Sequence, residues 1–136
     1  MSSIQRITAG GTTYALFVHG KPAVDPIKFL TEPDDDMQLG VMERPKGHQV
    51  KAHTHPPVDR NLITTSEFLY IEHGKVSVQV FDNDWRQIAD EVLETGDYLV
   101  FFRGGHALTM LEPTRMIEVK QGPYEGDNAA KEFKTP

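Results

Sequence analysis

Apolar and polar residues alternate in short runs along most of this chain, the period of half-buried strands rather than of helices. Val76, Val78 and Val80 alternate with Ser77 and Gln79, which predicts a strand over 75–81 with one buried face. Residues 67–72 form a strand before it, with a turn at His73-Gly74, and 85–92 returns after a turn at Asp82-Asn83-Asp84. The apolar run 98–102 suits a buried strand, set between the turn Glu94-Thr95-Gly96-Asp97 and the corner Arg103-Gly104-Gly105. His106, Leu108 and Met110 then share one face of the next strand, and Glu112-Pro113-Thr114 turns the chain into a last one at 116–121.

Near the N-terminus, extended runs at 4–7 and 12–18 flank Gly10-Gly11, a hairpin signal. Residues 25–30 suit either a strand or one helical turn, and 37–43 is strand-like, with Met37, Leu39 and Val41 on one face. The polar tail from Glu125 is expected to be loose or a short helix at 129–133. The pattern predicts an all-β fold.

Candidate chemistry gathers between Gly47 and Gly74. From Gln49 the odd positions Gln49, Lys51, His53 and His55 would share one face of an extended segment. Polar groups on an inward face line a site rather than pack a dry core. Residues two apart on a strand lie about 7 Å apart at Cα, so His53 and His55 can share one metal ion. A carboxylate such as Glu67 and a third histidine, His106, would complete a site with open positions. The loop 56–66 follows the two histidines directly and is long enough to cover a pocket or to be a variable surface loop. His48 has the opposite parity and is expected outside.

At 136 residues the chain suits one domain, and its 11 Gly and 9 Pro favour many turns. The 14 basic residues are scattered within a net charge of −6, which argues against a nucleic-acid partner, since phosphate binding needs a concentrated positive footprint. No Cys is present, so any metal is held by nitrogen and oxygen. The first thirty residues lack a signal-peptide core and no apolar run approaches a membrane span. The expected location is cytoplasmic, with no membrane partner.

Two separated motifs are similar to those of the single-domain cupin family. Its first motif is Gly, five residues, His-x-His, three or four residues, Glu, six residues, Gly; here Gly47, His53, His55, Glu67 and Gly74 correspond. Its second motif is met at Gly96, Gly104 and His106. The chain departs from the pattern in four ways. Eleven residues precede Glu67, so that Asp59 sits at the family's carboxylate spacing and is a rival ligand. Phe102 replaces the usual Pro, His106 comes one residue early, and Met110 replaces an Asn. Glu67 is preferred because it alone keeps the six-residue spacing to Gly74 and opens a strand.

The resemblance implies a cupin-type jelly-roll β-barrel at 47–124, with extra N-terminal strands at 1–46, a polar tail at 125–136, and a homodimer. It implies His53, His55, Glu67 and His106 as ligands of one divalent transition metal: iron, manganese, nickel, cobalt or zinc. Oxygenation of a small polar, oxygen-rich molecule is the commonest chemistry implied, with a sugar isomerase, epimerase or lyase next. A module that binds a small ligand without turnover is the rival from another class. Around the metal, strand parity turns Lys51 inward, while Tyr70, Arg103 and Arg60 fall near the rim or the loop. Lys51 or Arg103 would suit pairing with a substrate carboxylate or phosphate.

Overall fold

In a computed structural model, which describes residues 3–136 apart from the side chains of 127 and 128, the first two apolar runs become β1 (Ile4–Ala9) and β2 (Thr12–Val18), paired antiparallel. Gly10 and Gly11 both hold positive φ, 57° and 77°, the conformation a tight hairpin turn demands and glycine adopts without steric cost. A small hairpin follows, β3 (Ile27–Phe29) with β4 (Gly40–Met42). The remaining strands are β5 (Glu67–His73), β6 (Lys75–Phe81), β7 (Gln87–Glu94), β8 (Tyr98–Phe101), β9 (Gly105–Met110) and β10 (Arg115–Lys120). One helical turn, α1 (Asp127–Ala130), lies in the tail.

The fold is all-β and antiparallel. A five-stranded sheet runs β1-β2-β8-β5-β10 and a three-stranded sheet runs β7-β6-β9. Among the described residues no strand pairing joins these two sheets, and they pack face to face. Val76, Val78 and Val80, all fully buried, meet Phe17, Leu69, Ile71, Leu99 and Phe101 of the larger sheet in one core cluster. Leu16, Val18, Val100 and Phe102 form a second apolar layer, onto which Leu30, Met37 and Leu39 pack. Burial on both faces explains why β2 and β8 read as continuous apolar runs rather than as alternating ones. No helix among the described residues is long and apolar enough to cross a membrane.

His73-Gly74 is where the chain leaves the large sheet and enters the small one. A Cβ on Gly74, whose φ is 123°, would lie 2.4 Å from Thr114 Oγ1 and 2.8 Å from the Pro113 carbonyl oxygen. Only glycine fits there.

Three expectations change. The strand expected over 37–43 pairs only at Gly40–Met42, because Met37 and Leu39 are used in packing on the outer layer. The tail's helical turn begins earlier than 129. The extended segment from Gln49 through His55 is not a paired strand: 43–66 carries no regular structure and is almost wholly exposed until Ser66. Val50 is the one large apolar residue in 49–55, and Pro56-Pro57 follows. Such a segment has little apolar face to anchor a register, and two consecutive residues lack backbone donors.

Register brings several strand ends together at one end of the sandwich. Glu67 of β5 pairs with Phe101 of β8 and with Lys120 of β10. In the small sheet, Phe81 pairs with Gly105, and Val80 with His106.

Candidate functional site

At that end lies a cavity of about 300 Å³, lined by Glu67, Leu69, His106, Leu108, Met116, Glu118, Lys120 and Lys131. Strand alternation makes this wall: Glu67 and Leu69 of β5, His106 and Leu108 of β9, and Met116, Glu118 and Lys120 of β10 each sit two apart. Leu69, Leu108 and Met116 form its apolar part, and the ionisable groups cluster around the strand ends.

Glu67 and His106 are brought together. The Glu67 Oε2 lies 3.5 Å from His106 Nε2, with side chains 16% and 29% exposed. The imidazole is stacked flat on the Phe101 ring, centroids 3.9 Å apart and planes 6° from parallel, which fixes the plane of the ring. Burial pushes the Glu67 carboxyl above its ordinary value; the neighbouring Glu118 charge and a side-chain hydrogen bond between the two carboxyls add to this, while Lys120 and Lys131 oppose it. Burial likewise holds the His106 imidazole below its ordinary value, Glu118 opposing and the two lysines reinforcing. His106 is therefore neutral at pH 7 and offers a lone pair to a metal or a proton.

His53 and His55 stand together on the irregular segment, ring centroids 5.2 Å apart. The Nδ1–H of His53 donates to the Lys51 carbonyl oxygen at 2.7 Å, which leaves its Nε2 with the lone pair a metal needs. Neither histidine lines the cavity. Among the described residues no three His, Asp or Glu side chains gather closely enough to hold one metal ion. As a metal site, Glu67 and His106 fit as an oxygen and a nitrogen donor at a cavity mouth, and the four-ligand set is not assembled.

The other candidates lie elsewhere. Lys51, Asp59 and Arg60 are exposed on the same segment as the two histidines. Tyr70 follows Leu69 on β5 and so faces the opposite side of the sheet. Arg103 sits 3.9 Å from Asp36 Oδ2, on the loop that leaves the outer apolar layer at Phe102.

Glu118, Lys120 and Lys131 are site residues that sequence reasoning passed over. In β10 the usual parity is inverted: Ile117 and Val119 are 45% and 55% exposed while Glu118 and Lys120 line the cavity. Alternation alone points the apolar pair inward. The available signal was Met116, which shares its face with Glu118 and Lys120. Comparison of the chain with known protein families, curated proteins and solved structures gave no match.

Proposed function

We propose that this chain is a cupin-type jelly-roll protein that binds one divalent transition metal and acts as a metal-dependent enzyme on a small polar, oxygen-rich molecule, with oxygenation the favoured chemistry. The observation that carries the reading is the meeting of Glu67 and His106, from separate motifs, at the mouth of one cavity. A bound ion of this kind would supply Lewis acidity and open positions for oxygen or a substrate oxygen.

The chain's own residues contribute the rest. Glu67 and His106 provide two donors on rigid strand ends, and Phe101 holds the imidazole plane. His53 and His55 would supply the other two nitrogens if the 49–55 segment were brought to β9, an outer strand of the small sheet that itself carries His106. Leu69, Leu108 and Met116 exclude water from one wall.

One observation favours a second reading, an isomerase, epimerase or lyase that works by proton transfer. Burial and the neighbouring Glu118 raise the affinity of the Glu67 carboxyl for a proton, and its Oε2 lies 3.5 Å from Nε2 of His106, whose imidazole burial biases toward the neutral form. A carboxyl and an imidazole whose proton affinities are brought closer together in this way form a candidate acid–base pair.

Elemental analysis of purified protein tests the first reading. About one transition-metal ion per chain is expected, lost in His53→Ala and Glu67→Ala and kept in Asp59→Ala. Metal loss in Asp59→Ala but not in Glu67→Ala would move the carboxylate ligand to Asp59. No metal in the wild type after incubation with iron, manganese, nickel, cobalt and zinc salts would sink the metal-centred reading and favour proton transfer.

A further inference from the structure

The C-terminal tail crosses the end of the sandwich where the cavity opens. It leaves the large sheet at Lys120, beside Glu67, and Gln121 N–H donates to the Ser66 carbonyl oxygen at 3.2 Å. After α1, Lys131 reaches the cavity wall, and Lys134 Nζ sits 5.1 Å from the centre of the Phe81 ring, at the last residue of β6 in the other sheet. The tail thus spans from one sheet to the other, and the cavity is incomplete without it. Lys120 and Lys131 line the same cavity from either end of this crossing. Both charges are felt at both Glu67 and His106, so the two ammonium groups and the reactive pair occupy one electrostatic neighbourhood.

We propose that the cavity takes a small organic acid, its carboxylate held between Lys120 and the tail residue Lys131 and its carbon stem lying along Leu69, Leu108 and Met116 toward Glu67 and His106. This rests on the reading of this cavity as the substrate site. The carboxylate is favoured over a phosphate by desolvation: the cost of taking an ion out of water rises with the square of its charge, whereas its attraction to the two lysines rises only in proportion and is partly offset by Glu67 and Glu118. The apolar wall favours a short carbon chain over a fully hydrated ion. The tail's role follows from its position, because removing it takes away one of the two cations and one wall together.

The test is a titration of the full-length protein with butyrate, inorganic phosphate and butan-1-ol, followed by NMR shifts of His106 and of residues 118–131. Butyrate should give saturable shifts and butan-1-ol none. Affinity for butyrate should fall about tenfold in Lys131→Ala, the scale of one charge-assisted hydrogen bond, and stay within about twofold in Lys131→Arg. A chain ending at Gly126 should lose affinity as Lys131→Ala does. Equal butyrate affinity in wild type and Lys131→Ala, no butyrate binding at all, or saturable binding of phosphate alone would overturn the proposal. Metal content measured on the same samples separates the two readings. Butyrate bound through Lys131 by a protein that takes no metal leaves this proposal standing, and metal uptake without butyrate binding does the reverse.

Discussion

Glu67 and His106 both sit where burial favours the neutral form, and for the protein without metal the two groups respond to pH in opposite directions. Glu67 titrates above its ordinary 4.5. A raised carboxyl binds its proton more tightly in the folded state, so its contribution to stability is full below about 4.5 and is lost as pH rises through the folded value. His106 titrates below its ordinary 6.5. Its contribution is full above about 6.5 and is lost as pH falls through the folded value. Glu67→Gln removes the buried charge while its amide can still donate to Glu118. Thermal melts of metal-free protein should show Tm higher by about 2–4 °C at pH 7, the scale of roughly 1 kcal/mol in a domain of this size, and little changed at pH 4. A lower Tm for the variant at pH 7 would mean that the Glu67 carboxylate stabilises the fold through His106. The metal-bound protein should behave in the opposite way, because the same substitution removes a donor.

Among the strands and turns, what the sequence disclosed depended on how many physical constraints agreed. In β6 and β8, alternation or continuous apolar character, bounding turns and burial all point one way, and both strands lie where the pattern puts them. Gly74 and Gly104 were legible as turn positions, but the reason for glycine at each is tertiary. Gly104 has φ 76°, and a Cβ there would lie 2.4 Å from the Phe81 carbonyl oxygen and 2.6 Å from the Tyr14 ring. Gly10 has φ 57° with nothing within 4 Å of the same added atom. Gly10→Ala should therefore cost only the backbone strain, about 1 kcal/mol, whereas Gly104→Ala adds a clash with backbone and should cost about 3 kcal/mol or more. Urea denaturation of the two variants measures the difference, and equal costs would mean that the Gly104 corner relaxes freely. The inverted face of β10 was not legible because a strand's own period cannot say whether an inward face meets a core or a site. The segment 49–55 has the parity of a strand, but with Val50 as its one large apolar residue and Pro56-Pro57 after it, parity had nothing to hold it to a partner.

For the molecule as a whole, the main question is how an exposed, unpaired segment and a fixed pair of donors become one centre. Among the described residues, Ser66 is the one position from Gln49 to Ser66 that joins the backbone hydrogen bonds found outside the strands, accepting from Gln121. β9 lies at the margin of the small sheet with Met110 44% exposed. Pairing the segment there would satisfy backbone groups on both and carry His53 and His55 toward His106. Ordering several residues of backbone costs about 1–2 kcal/mol each, an amount that metal coordination by two further imidazoles can offset. In this picture metal and segment order are linked. Limited proteolysis should cut the metal-free protein within 43–66 and leave the sandwich intact, and one equivalent of the native metal should slow that cleavage by tenfold or more. The protection should vanish in His53→Ala and His55→Ala, and should weaken as pH falls below about 6.5, where free imidazole takes a proton. Equal protection in wild type and both histidine variants would mean that the metal sits on Glu67 and His106 without the segment. The histidine pair would then have to be placed outside the centre, and proton transfer by Glu67, Glu118 and His106 would become the leading account of the cavity.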